Sequence, residues 1–268
     1  ALPISQRGHN AKCFIAMRYW CPYTAEAVTA VKDWAPEQIV LLPLYPQYST
    51  TTTRSSLDAW REEAKRQKLT APQHEICCYP YETGFIGALA ERVNEGFAKA
   101  KPEISYRVLF SAHGLPKRVV ERGDPYQWQV ERTVDAVLGR LSRKDIDHSV
   151  CYQSRVGPLE WIGPATDAEI RRAGAEGKGV IIVPVAFVSE HSETLVELDI
   201  EYAKLARETG VKDYIRVATA RTHPAFVDAL ASLAHVALSA KSSVTCCALE
   251  RICPEGRICG RAEARTHA

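Results

Sequence analysis

The sequence predicts an α/β fold in which parallel sheets are covered by helices on both faces. Two observations carry this. Short, continuous apolar runs such as Ile39–Leu44 and Val180–Val188 alternate with amphipathic stretches of helical length, and strands apolar on both sides must be buried on both sides. In order, Phe14–Met17 is expected as a short strand, Glu26–Val31 opens a helix, and Ile39–Leu44 is a strand leading into YPQYSTTTTRSS. Leu57–Lys68 is a helix, Glu75–Tyr79 a strand and Phe85–Lys99 a helix, and Tyr106–Phe110 is a strand running into SAHGLP. Asp124 can cap the next helix, with Pro125 in its first turn and Gln127 three residues after the cap. Val130, Val134, Leu138 and Leu141 then recur at helical spacing and are expected to face the sheet. Pro184 within Val180–Val188 predicts a bend or a free amide position. Glu193–Glu208 is a helix stopped by Gly210, Tyr214–Ala218 a strand and Pro224–Ala234 a helix.

The chain of 268 residues is 46% hydrophobic and 25% charged, the composition of a globular protein and not of a disordered or collagenous one. Its 34 Lys and Arg against 32 Asp and Glu leave a net charge of +2, so no global field favours nucleic acid. No apolar run reaches the roughly 18 residues of a membrane span, and the first residues, which lack a basic region followed by an apolar stretch and cleavage site, are not expected to act as a secretory signal. A boundary is expected where a charged helix end meets LysPro. It divides the chain into residues 1–102, 103–240 and a cysteine-containing extension, 241–268, that loses the apolar pattern. The first part starts abruptly, with no βα unit before its first strand, and is expected to be the remainder of a larger lobe.

Ligands of open parallel sheets bind beyond the carboxyl ends of the strands. That rule groups Tyr45, Gln47, Tyr48 and Ser49 after one strand, Ser111, His113 and Gly114 after another, and Ser189, Glu190, His191 and Glu193 after a third. A neutral imidazole at His113 can take a proton or meet a metal near neutrality. Glu193, Glu197 and Glu201 stack at i,i+4 spacing, which is unfavourable in a plain helix and suits a path for a hydrated cation or for protons. Arg18 and Tyr19 follow the first strand between apolar flanks, and Trp161 lies in a Gly- and Pro-rich loop, where an aromatic rim suits a large flat apolar ligand.

MRYW, LYPQYS, SAHGLP, YQSRVGPLEWIGP and VPVAFVSEHSETLVELDIEY together resemble ferrochelatases, from about Lys12 to Leu233. The resemblance implies two Rossmann-like lobes with parallel sheets, the first incomplete here, and a porphyrin cleft between them. It implies insertion of Fe(II) into protoporphyrin IX to give protoheme, with two protons released. His113 then matches the active-site histidine and Glu193 its acidic partner across the macrocycle, both near the metal. Glu190, His191, Glu197 and Glu201 match the acidic path, Arg18 and Tyr19 the cleft-lining pair, and Phe187, Ser189 and Trp161 the pocket wall. Cys21 stands where the family commonly has the histidine of RYWHP. The alternatives are a chelatase for another metal or tetrapyrrole and a porphyrin- or heme-binding protein without activity. A cytoplasmic location follows, with peripheral contact at the inner face of the cell membrane because the porphyrin is apolar.

Of nine cysteines, Cys13, Cys21, Cys77, Cys78 and Cys151 read as buried thiols of a reducing compartment. Cys246, Cys247, Cys253 and Cys259 crowd into TCCALERICPEGRICG. Thiolates at this density suit zinc or an iron–sulfur cluster. Some ferrochelatases carry a 2Fe–2S cluster on C-terminal cysteines plus one internal cysteine. The animal-type internal position is Thr50 here, so a fourth ligand is expected from Cys77 or Cys78, or from the tail itself.

Overall fold

The computed structural model describes residues 2–247 and 251–259. Its strands in chain order are β1 (Ile39–Leu41), β2 (Gln73–Ile76), β3 (Tyr106–His113), β4 (His148–Gln153), β5 (Gly179–Pro184), β6 (Tyr214–Arg216) and β7 (Val244–Thr245). They form two parallel sheets, ordered β1-β2-β7 and β4-β3-β5-β6. The chain divides into two compact units, one of Ala1–Tyr79 with Val227–Ala268 and one of Pro80–Phe226. The helix Thr83–Lys99 thus belongs to the second unit, whereas the sequence reading grouped residues 1–102.

In the first unit, Ala27, Val28 and Val31 of the helix Thr24–Trp34 pack with Trp60 and Ala64 of the helix Ser55–Arg66 and with Ile39 of β1. Two expectations change here. Phe14–Met17 forms no strand; Met17 makes one bridge to Tyr23, its N–H donating to Pro22 O at 2.8 Å. Ile15, Met17, Tyr19 and Trp20 are exposed, so no covering layer rewards pairing there. Residues 241–268 are not all an extension, because Val244 and Thr245 pair with Glu75 and Ile76 and complete the sheet.

In the second unit β5 is buried along its whole length. Val180 and Ile182 pack in one cluster with Leu109, Cys151, Ile170, Ala173, Leu198 and Ala206. Ile181 instead approaches Gly96 of the helix Thr83–Lys99, so successive side chains go to opposite covered faces. The strand ends at Pro184, four residues before the expected Val188, because proline has no N–H to donate to the ladder. Asp124 Oδ1 accepts from Tyr126 N at 2.9 Å and starts the helix Tyr126–Arg140. That helix packs on Thr83–Lys99, with Val130, Val134 and Val137 buried and Leu138 half-buried. The expected helix Glu193–Glu208 is a π-helix over Glu193–Tyr202 continued by an α-helix over Ala203–Glu208.

Gly174, in the helix Thr166–Ala175, sits where a Cβ would lie 2.1 Å from the carbonyl oxygen of Thr209. Gly174→Ala must push these two segments apart. It is expected to lower stability by about 1–3 kcal/mol, read as a lower urea midpoint at unchanged slope; an unchanged midpoint contradicts this packing.

Candidate active site

The site of the second unit follows from the order of its strands. β3 is central, with β4 on one side and β5 on the other, so the chain reverses direction across the sheet at β3. The crevice beyond the carboxyl end of such a strand is the place where open α/β sheets bind ligands. His113 is the last residue of β3 and is in register with Gln153, the last of β4. Gly114 follows, and a Cβ there would lie 3.0 Å from Gln153 O and 3.3 Å from the Trp161 ring. A side chain here would need these neighbours to give by a few tenths of an ångström, so glycine suits the turn beneath the tryptophan. Tyr126 is buried, and its phenol shares a hydrogen bond with the His113 backbone.

The His113 Nδ1 and Glu193 Oε2 atoms are 2.6 Å apart, a hydrogen bond between the end of β3 and the start of the π-helix. The pair is partly open to solvent. Without a ligand, the two side chains that the family resemblance sets about the macrocycle touch each other directly. Burial works to raise the Glu193 pKa, but the hydrogen bond from His113 and the charges of His113 and His191 prevail and hold it below the ordinary carboxylate value.

Behind the pair lies a polar frame. Ser111 Oγ donates to Gln153 Oε1 at 2.7 Å, which directs the Gln153 amide N–H groups to Glu193 O (2.8 Å) and Glu197 Oε2 (2.9 Å). Ser154 donates to Glu197 through its backbone N–H (2.8 Å to Oε1) and its hydroxyl (2.5 Å to Oε2). Tyr202 OH adds a bond to Glu197 Oε1 at 3.0 Å, an i,i+5 contact that the wide π-helical turn permits. Glu197 is therefore held by donors rather than solvated. Alongside is a cavity of about 510 Å³ lined by, among others, Tyr152, Trp161, Glu197, Glu201 and Tyr202. The buried Trp161 Nε1 has no hydrogen-bond partner among the described residues.

The structure thus brings together His113, Glu193, Glu197, Glu201 and Trp161. Glu190 departs from the acidic row: its carboxylate pairs with Arg216 Nη1 at 2.9 Å and accepts from Thr219 N at 3.0 Å. Arg216 also holds Asp199, so one guanidinium serves both acids within the fold. Phe187 is buried against the edge of the His191 ring, with centroids 4.9 Å apart, and His191 Nδ1 accepts from Glu193 N at 3.2 Å. Ser189 is exposed. Gln153, Ser154, Tyr126 and Tyr202 escaped the sequence reading. The strand SVCYQ, whose carboxyl end carries the first two, was the available signal.

In the first unit, Arg18 donates to Ser55 Oγ at 3.1 Å and lies over the exposed Tyr19 ring at 4.9 Å. The thiols of this unit gather. Cys77 and Cys78 Sγ are 3.5 Å apart, Cys77 bonds to Cys246, and Cys78 lies in electrostatic reach of Cys246, Cys253 and Cys247, with Cys259 near Cys77. A hydrogen bond with Cys77 favours the Cys78 thiolate, but burial and the neighbouring sulfurs push the thiol up to about 11. Among the described residues no three His, Cys, Asp or Glu side chains are set around one point as metal ligands. The thiols therefore fit a metal in chemistry and burial but not in placement. Cys13 and Cys21 are exposed, which corrects their expected burial, since they flank the unpaired Phe14–Met17 stretch; Cys151 is buried as expected.

The sequence model of the ferrochelatase family matches residues 2–238. A ferrochelatase of Caulobacter vibrioides is 57% identical over 231 residues, covering 86% of this chain and 65% of that protein. One of Hyphomonas neptunium is 46% identical over 262 residues, covering 97% and 72%. This chain thus spans just under two thirds of the Caulobacter protein's length. The structure titled SirB from Bacillus subtilis with Fe3+ superposes with a TM-score of 0.62 at 12% identity, covering 88% of this chain and 87% of that one, a likeness of fold. With most of its length matched by the family model and its site residues standing in the motifs that model spans, the chain belongs to the ferrochelatase family.

Proposed function

We propose that this chain inserts Fe(II) into protoporphyrin IX, giving protoheme and releasing two protons. Family membership supports the reaction class, and the observation that carries the reading is the His113–Glu193 hydrogen bond at the end of the central strand. With Nδ1 held by Glu193, Nε2 is the ring atom left to take a pyrrole proton or to meet iron. The Glu193 carboxylate orients the imidazole and stabilises the imidazolium formed. Glu197 and Glu201, next along the π-helix and lining the cavity, offer the onward path for protons or hydrated Fe(II). Trp161, Phe187, Ser189 and His191 of the second unit are proposed to contact the porphyrin, whose distortion would spend binding energy to expose a nitrogen lone pair. No helix among the described residues is long and apolar enough to cross a membrane. A cytoplasmic location with peripheral membrane contact is the proposal consistent with an apolar substrate.

His113→Ala is expected to abolish iron-dependent loss of porphyrin fluorescence while the fold persists; parental turnover sinks the assignment. Glu193→Gln is expected to cut turnover steeply with porphyrin binding retained, and Glu201→Gln, exposed and farther along, to have a milder effect. If both lose only thermal stability, the acids are structural. Because the folded Glu193 pKa is lowered, its stabilisation is present above the ordinary value of 4.5 and is lost as pH falls through the folded value. In urea melts at pH values descending below 4.5, the parent should lose stability that Glu193→Gln does not; parallel losses contradict the pairing.

A second proposal concerns the thiols: Cys246, Cys247, Cys253 and Cys259, with Cys78 or Cys77, supply the ligands of a 2Fe–2S cluster. The chemistry and burial of six cysteines about the ends of β2 and β7 support it, whereas their placement among the described residues is not that of metal ligands and would have to change on loading. Anaerobically purified protein is expected to hold about two irons and two acid-labile sulfides per chain. Finding neither after reconstitution rejects the cluster, and zinc alone points to a structural site.

A further inference from the structure

We infer that Ser154 is a positioning residue for the two carboxylates of the site, an inference that rests on the chelatase reading above. Ser154 follows the last residue of β4 and has φ 59°, in the left-handed region that disfavours every residue but glycine. What this conformation achieves is specific. It turns the Ser154 backbone N–H onto Glu197 Oε1 (2.8 Å) and its hydroxyl onto Glu197 Oε2 (2.5 Å), so one residue grips both oxygens of one carboxylate. The same Oγ lies 3.3 Å from Glu193 Oε2, the oxygen that holds His113. One hydroxyl therefore stands between the carboxylate next to the histidine and the next carboxylate of the row. A glycine would suit the backbone better, so a serine at this angle makes sense through its hydroxyl. Gln153, one residue earlier, grips Glu197 Oε2 and the Glu193 backbone from the other side. Two like charges are thus held close by neutral donors, at a fixed spacing.

The test separates hydroxyl from backbone. Ser154→Gly removes the hydroxyl while relieving the left-handed strain; Ser154→Ala removes it while keeping the strain. Both retain the backbone N–H. With Fe(II) and protoporphyrin IX and the full chain, both variants should lose kcat about tenfold or more with KM for the porphyrin unchanged, and Ser154→Gly should melt no lower than Ser154→Ala. A purely structural role predicts instead that activity follows melting temperature. Parental kcat in Ser154→Gly overturns the inference while leaving the chelatase reading standing. If the parent itself does not insert iron, the chelatase reading fails, and the His113 ring resonances still decide the inference. They should shift in Ser154→Gly as Glu193 loses its hydroxyl neighbour, and unchanged resonances overturn it.

Discussion

The parallel register of β3 with its two neighbours is the constraint on which the site depends. Parallel pairing sets His113 beside Gln153 and ends β5 opposite Ser111, so three chain segments emerge together at one edge of the sheet. Each delivers one part: β3 the imidazole, β4 the Gln153–Ser154 donors, β5 the turn into the π-helix with its acids. Moving any of the strands by one residue would send its side chains to the opposite face. The buried hydrogen bond from Ser111 to Gln153 ties β3 to β4 in this register, and a slip would leave both polar groups buried without each other.

Within this frame the charges are arranged by partner rather than by sequence spacing. The acids that follow β5 looked like one row. The structure sorts them into three kinds: Glu190 and Asp199 are tied to Arg216, Glu193 and Glu197 are held by site donors, and Glu201 lies exposed at the cavity. A buried or half-buried carboxylate needs a donor or a cation to remain ionised, and only the three-dimensional neighbourhood reveals which one it has. Ser154 and Gln153 could not be singled out as its partners from their residue types alone.

The alternation of apolar strands and helices made the α/β fold legible, and the strand-end rule placed His113 and Glu193 before any contact was known. What was not legible depends on long-range pairing. Val244–Thr245 looked like the start of an irregular tail because two residues carry no periodic signal, yet β2 provides their ladder. Phe14–Met17 had strand composition without a partner strand. The helical period over Glu193–Glu208 was read correctly as helix, but its π-helical opening shows in contacts such as Tyr202 to Glu197 and not in residue types. The direct bond between His113 and Glu193 likewise joins residues 80 positions apart in the chain.

The central claim is that His113 and Glu193 work as one hydrogen-bonded unit. A double-mutant cycle on the iron-insertion rate tests it most directly, with His113→Ala, Glu193→Gln and the two combined. Groups that act as a unit are not additive. The account predicts that the combined variant is no slower than the slower single variant; losses that multiply would show two independent groups and contradict it.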